Sequence, residues 1–196
     1  MTSKDEVRRL SLRKRRSMSE RERKDNSLLI CENLIMMPQI EQANTVMLYA
    51  PMQDEADVWL AIDGLLERGK CVVLPYVRNG QMQVAEYCAD DILTSDRHGI
   101  LEPDPQYTQP AEQIDVAIVP GVAFCEDGTR LGMGGGMYDR FLETLDCLKI
   151  GACFELQLAP QLPREPHDVP MDAIITELRL IVCRQGEDEP QRDDLA

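Results

Sequence analysis

Short apolar runs, many of them β-branched, alternate along this chain with stretches whose apolar residues recur every three or four positions. That alternation predicts strands interleaved with amphipathic helices. Ser3-Lys4-Asp5-Glu6 has capping-box spacing and opens a helix through Val7, Leu10 and Lys14. Ser19-Glu20-Arg21-Glu22 repeats the signal and predicts a second helix over about 20–36, with Leu28, Leu29, Ile30, Leu34 and Ile35 as its apolar face and Pro38 as its stop. Residues 45–49 read as the first core strand, and 51–55 (Pro-Met-Gln-Asp-Glu) as the loop after it. A helix over 58–68 is closed by Gly69. Cys71-Val72-Val73-Leu74 reads as a second strand stopped at Pro75, and Gly80 punctuates a hairpin whose better strand is 82–87.

The stretch 98–110, starting at His98, is irregular and proline-rich. Val116-Ala117-Ile118-Val119 is β-branched and stopped by Pro120-Gly121, as in a strand buried on both faces. A polar, glycine-dense loop follows, then a helix to about Leu145 with Phe141, Leu142 and Leu145 facing the core. Strands are expected at 150–154, 173–176 and 180–183, with four prolines (160, 163, 166 and 170) interrupting the stretch before the last two. Such alternation predicts an α/β layered fold with a mostly parallel sheet, whose ligands bind beyond the carboxyl ends of the strands. The loop carrying Glu55 and the glycine loop both leave from such ends.

Composition changes this picture in three places. At 196 residues the chain can bury a sizeable core, so a single domain over 1–186 is expected, followed by an acidic tail over 187–196 that is too polar to fold. The first 24 residues hold 10 Lys and Arg against 4 Asp and Glu, which leaves −20 on the remainder of a chain whose net charge is −14. An acidic body argues against nonspecific nucleic-acid binding. The basic stripe Lys4, Arg8, Arg9, Arg13, Lys14, Arg15 and Arg16 lacks stacking aromatics and reads either as a solvated helix face or as cations supplied to a polyphosphate. Seven cysteines without any C-x-x-C pair read as buried free thiols of a reducing, cytoplasmic setting. No apolar run reaches membrane-spanning length and no secretory signal is visible.

The chemistry concentrates between Val116 and Leu142. Gly132, Gly134, Gly135 and Gly136 let backbone approach a ligand closely, and a strand end, a glycine loop and a helix start together suit a phosphate. The pattern Gly132-Met133-Gly134-Gly135-Gly136 is not a P-loop, because no lysine follows it, and its third glycine is misplaced for a dinucleotide fingerprint. Arg130 before the glycines can neutralise phosphate, and Asp139 after them can hold a hard cation. Asp172, in the turn leading into the late strands, is a second acid expected at the ligand edge.

Arg130-Leu131-Gly132-Met133-Gly134-Gly135-Gly136-Met137-Tyr138-Asp139-Arg140, preceded by 120–124 (Pro-Gly-Val-Ala-Phe), resembles the signature of 5-formyltetrahydrofolate cyclo-ligases. Lys4-x-x-x-Arg8, the run 51–55, Glu102-Pro103 and Asp172 match in the right order, so the resemblance spans roughly residues 4–183. It implies a three-layer α/β/α fold related to the sugar-phosphate isomerase and CoA-transferase group. It also implies ATP- and magnesium-dependent conversion of 5-formyltetrahydrofolate to 5,10-methenyltetrahydrofolate, with release of ADP and phosphate. The formyl oxygen would be phosphorylated, nitrogen 10 would close the ring, and phosphate would leave.

By position in the motifs, the resemblance implies that Lys4, Arg8 and the loop Arg130, Leu131, Gly132, Met133, Gly134, Gly135, Gly136, Met137 and Tyr138 bind ATP. Asp139 and Asp172 would hold magnesium, while Ala50, Glu55 and 133–137 would line the folate site, with Glu55 accepting from pterin N–H groups. The implied partners are these small molecules alone, with no nucleic acid, no membrane and a monomeric state. Two positions depart from the family pattern: Met137 stands where many members have a second tyrosine, and Tyr76 where many have an arginine. They motivate an alternative, a non-catalytic folate- or nucleotide-binding homologue. An isomerase-like fold relative is a third reading and predicts no ATP requirement.

Overall fold

The computed structural model describes residues 3–96 and 99–183. His98 and the tail expected over 187–196 therefore lie outside the described residues. Helices α1 (Lys4–Arg16), α2 (Glu20–Ile35) and α3 (Pro38–Gln42) precede strand β1 (Thr45–Met47) and helix α4 (Trp59–Glu67). Strands β2 (Cys71–Arg78), β3 (Gln81–Tyr87), β4 (Thr94–Ser95), β5 (Leu101–Glu102), β6 (Val116–Val119), β7 (Ala123–Phe124) and β8 (Arg130–Leu131) come next. Helix α5 (Met137–Leu142) and strands β9 (Leu148–Ala152), β10 (Ala173–Ile175) and β11 (Leu180–Val182) complete the chain.

Seven strands form one sheet in the order β11-β10-β9-β6-β1-β2-β3. The five inner strands are mutually parallel, and the antiparallel edges β11 and β3 frame them. Side chains alternate between the faces as the strand period of two requires. Val46, Val72, Val116, Ile118, Ile150 and Ile175 meet α2, α3 and α4 on one side. Met47, Val73, Ala117, Val119 and Ile174 meet Phe124 and the α5 residues Phe141 and Leu142 on the other. The result is an α/β fold with a mostly parallel sheet, as its sequence pattern predicts.

Local signals explain the boundaries. Ser19 and Glu22 cap α2 reciprocally. At the end of α4, Gly69 (φ 72°) lets Lys70 N donate to Leu65 O and Gly69 N to Leu66 O, a left-handed C-cap that closes the helix. Asn79 and Gly80 both have positive φ, the two-residue turn that joins β2 to β3.

Several expectations need correction. The buried face of α2 is Ser27, Ile30, Cys31 and Leu34, while Leu28 and Leu29 are exposed. Strand β2 runs through Pro75, which pairs with Val84. A proline is tolerated there because the β1 pairing ends at Val73, so no partner strand awaits its missing N–H on that side. Helix α5 ends at Leu142, although Leu145 is buried as expected. The thiols are all free, but Cys88 is exposed.

Candidate functional site

Strands β1, β6 and β9 release their chains at one edge of the sheet, and three loops meet there. After β6, Pro120-Gly121 leads into the β7–β8 hairpin, whose turn is closed by Cys125 N donating to Thr129 O and Gly128 N to Cys125 O. The polar excursion over 126–129 is therefore a hairpin tip. It returns the chain beside Pro120-Gly121 with Val122 N bonded to Leu131 O. Phe124 anchors the hairpin by packing against Gly121 and Gly151, where an added Cβ would come within 2.6 and 2.4 Å of its ring.

The return places Arg130 under the glycine loop. Its side chain is buried; Nη2 donates to Asp139 Oδ1 at 2.7 Å and the guanidinium lies 5.6 Å from the Tyr138 ring centroid. Two more arginines converge on the glycines. Arg8 Nε donates to Gly132 O at 2.9 Å, and its guanidinium carbon lies 3.3 Å from where a Cβ on Gly134 would sit. Arg140 Nη1 stands 3.0 Å from the equivalent point on Gly136. Gly134 (φ 100°) and Gly136 (φ 63°) also hold backbone conformations that side chains resist. The loop therefore threads between three guanidinium groups, with Gly134, Gly135 and Met133 open to solvent. Because α5 is six residues long, these cations and the loop itself, rather than a helix dipole, give the cradle its positive character.

Across the edge, the loop after β1 presents Ala50 and Glu55, both buried. Glu55 Oε2 accepts from Met52 N at 3.0 Å, and Oε1 lies 3.6 Å from Arg15 Nη1. Burial pushes the Glu55 carboxyl above its ordinary range, against the Met52 hydrogen bond and the Arg15 charge, which pull it down. Tyr138 and Tyr49 have their hydroxyls raised by burial and, next, by the negative charge of Glu55. The same Tyr138 ring carries the Arg130 guanidinium 5.6 Å from its centroid.

The structure brings Arg8, Ala50, Glu55, Asp139 and the loop 130–138 to this edge and places Lys4 and Asp172 differently. Lys4 Nζ is held by Asp168 Oδ2 at 2.6 Å and Glu165 Oε2 at 2.9 Å. Asp172 precedes β10, so its strand position is at the amino end rather than the expected ligand edge; its Oδ2 accepts from Lys149 N at 2.8 Å. Tyr76 is buried, with its hydroxyl on Gln83 Oε1 and Thr108 Oγ1, tying β2 to β3 and the segment beyond. Met137 is 36% exposed and Met133 55% exposed, both beside the glycines.

Magnesium is commonly bound by one or two carboxylates and the substrate's phosphates, with oxygen ligands throughout. Asp139 fits that pattern, since its hydrogen bonds fall on Oδ1 and its Oδ2 has none among the described residues. The cluster Glu165, His167 and Asp168 has ligand atoms close together, but Lys4 already supplies its cation.

Sequence reasoning left Arg15 and Arg140 out of the site. Arg140 carries no signal beyond its place in the motif. For Arg15 the signal was helical spacing: at roughly 100° per residue, positions 4, 8 and 15 fall on one stripe of α1, apart from 9, 13, 14 and 16. The inner stripe faces the protein, and Arg15 is its buried member.

Comparison with known proteins follows the same outline. The sequence profile of the 5-formyltetrahydrofolate cyclo-ligase family matches residues 1–177. The 5-formyltetrahydrofolate cyclo-ligase of Escherichia coli is 32% identical over 171 residues, covering 83% of this chain and 94% of that relative. That of Mycolicibacterium smegmatis is 35% identical over 150 residues, covering 71% and 76%. The NMR structure of Aquifex aeolicus 5,10-methenyltetrahydrofolate synthetase superposes with a TM-score of 0.85 at 32% identity, covering 97% of this chain and 98% of that one. A Mycoplasma pneumoniae 5,10-methenyltetrahydrofolate synthetase gives 0.74 at 27% identity, covering 89% and 99%.

Proposed function

The chain belongs to the 5-formyltetrahydrofolate cyclo-ligase family, and from that premise we propose how its sheet edge carries out an ATP- and magnesium-dependent ring closure. The enzyme is a 5-formyltetrahydrofolate cyclo-ligase of one-carbon folate metabolism. ATP lies on the loop 130–138, where Arg8 and Arg130 neutralise its phosphates, and Lys4 exchanges its acidic partners for the nucleotide. The folate lies between the glycines and the loop after β1. Its pterin N–H donors point to Glu55, and its body rests against Ala50, Met133 and Met137, whose thioethers give polarizable contact.

The formyl oxygen of 5-formyltetrahydrofolate attacks the γ-phosphorus, breaking the bond to ADP. Nitrogen 10 then adds to the activated carbon and loses its proton to solvent, and the C–O bond breaks to release phosphate and leave the methenyl bridge. Phosphorylation is what makes the formyl oxygen able to leave, and such transfer depends chiefly on alignment and charge neutralisation. Asp139 would hold magnesium through its free Oδ2, and the ion when bound would neutralise phosphate oxygens and orient the γ-phosphoryl group. Residues 1–186 act as one catalytic domain, monomeric and cytoplasmic, with no nucleic-acid or membrane partner. Kinship of its sheet to the sugar-phosphate isomerase and CoA-transferase group is part of the same reading.

The observation that carries this reading is the convergence of three guanidinium groups on the glycines, at the same sheet edge as the buried Glu55. It is tested by following methenyltetrahydrofolate absorbance with ATP and magnesium each present or withheld. Product is expected only when both are supplied. Product without ATP supports the isomerase-like reading, and ligand binding without turnover supports the non-catalytic homologue.

A further inference from the structure

A buried arginine in an otherwise solvent-facing helix needs a reason. Arg15 is the one buried residue of α1, 1% exposed, and a guanidinium taken out of water is costly unless it is paired. Its pairing is specific. Nη2 donates to Asp54 Oδ1 at 2.9 Å and Nη1 to the Gly121 carbonyl at 3.3 Å, so one side chain joins α1 to the loops after β1 and β6. Arg16 Nε holds the other oxygen of Asp54 at 3.2 Å, which fixes that carboxylate for Arg15. Asp54 is thereby served by two cations. Arg15 also faces Glu55, with Nη1 3.6 Å from Oε1.

That placement is useful for recognition: a buried positive charge beside the carboxylate stabilises its ionised, accepting form and fixes where its oxygens lie. We propose that Arg15 is a positioning residue for folate, holding the buried Glu55 as an oriented, ionised acceptor for the pterin N–H groups. The inference rests on the reading of Glu55 given above and extends it to a residue that touches no substrate. The other groups around Glu55 cannot substitute. Asp54 repels it, Tyr49 and Tyr138 are neutral with hydroxyls raised by burial, and Arg130 is engaged by Asp139. Arg15 pulls the Glu55 carboxyl down against burial. Without it Glu55 takes a proton at higher pH, one oxygen becomes a donor, and the match to the pterin is lost.

The test is equilibrium binding of 5-formyltetrahydrofolate and of ATP by calorimetry across pH, with KM for each substrate alongside. In Arg15→Gln, folate binding should weaken at least about tenfold at neutral pH and its acid limb should move upward, while ATP binding changes less than about twofold. Arg15→Lys, which keeps the charge, should recover most of the pH profile. Glu55→Gln should show the folate loss with no acid limb, and adding Arg15→Gln to it should cost folate binding nothing further. Equal loss of both ligands with an unmoved acid limb, or additive losses in the double variant, would make Arg15 merely a fold-holding residue and overturn the proposal. Should Arg15→Gln fail to fold, the comparison of Arg15→Lys with Glu55→Gln decides by the same pH criterion. Wild type that binds and turns over folate while Arg15 variants match it defeats this inference alone; wild type without folate binding defeats the functional reading as well.

Discussion

Asp139 meets two demands with two oxygens. Oδ1 accepts from Arg130 Nη2 and, at 3.4 Å, from Val169 N, so the aspartate locks the arginine beneath the glycine loop. Oδ2 is left for a cation shared with phosphate. Asp139→Asn keeps a carbonyl oxygen for Arg130 and should fold normally, yet lower kcat by at least about a hundredfold, the scale of one charge-stabilising group at a reacting phosphoryl. Near-normal turnover in that variant would remove Asp139 from the metal site. Arg130 and Asp139 were legible because glycines between an arginine and an aspartate make chemical sense at any fold. Arg15 was legible only as a member of the stripe 4, 8 and 15 of α1; that it is the buried one of the three depends on the acids the fold brings alongside.

At the scale of elements, caps and turns were the most legible features, since their hydrogen bonds are made within a few residues. Ser19 Oγ accepts from Glu22 N, and Glu22 Oε2 accepts from Ser19 N. Ser19→Ala should therefore cost about 1 kcal/mol in urea denaturation, with ATP and folate KM unchanged. A midpoint equal to wild type would show that tertiary contacts alone hold the start of α2. The buried face of that helix was misjudged for a physical reason. Leu28-Leu29-Ile30 looks like the apolar stripe, but Ser27 and Cys31 occupy it because they bond the chain ahead of α4, Ser27 Oγ accepting from Asp57 N and the Cys31 thiol donating to Asp57 O. Polar atoms can sit on an inner face once a partner segment satisfies them. Pro75 was misjudged likewise, since only the end of β1 decides whether its missing N–H matters.

For the whole molecule, the unusual feature is a helix fastened to the functional edge mainly by charge. Helix α1 contributes Val7 to a small apolar cluster with Ala123, Cys125, Leu131 and Leu162. Lys4, Arg8 and Arg15 fix it to Asp168, the glycine loop and Asp54. Burial works to raise the Asp168 carboxyl, but hydrogen bonds from Lys4 and from Glu165 N outweigh it and hold it below the ordinary range. Burial works to lower Lys4, which the same partners raise. The tether is therefore complete between the ordinary values of the two groups; it weakens as pH falls through the depressed Asp168 value or rises through the raised Lys4 value. Amide exchange over 4–10, corrected for intrinsic rates, should be faster relative to α2 at about pH 3 than at neutral pH. An unchanged ratio would mean that Val7 and Arg8 hold the helix without this pair.

The sequence by itself determined the alternation of strands and helices, the caps, the glycine loop with its flanking Arg130 and Asp139, and the resemblance that names the reaction. All of these are carried by residues near one another in the chain, where spacing alone dictates geometry. Only the tertiary structure decided which arginine of α1 is buried, that Lys4 is paired with Asp168, that Asp172 stands at the amino end of β10, and that Arg15 faces Glu55. Those outcomes depend on which loops the parallel sheet brings to one edge, because burial and charge pairing act between groups far apart in sequence.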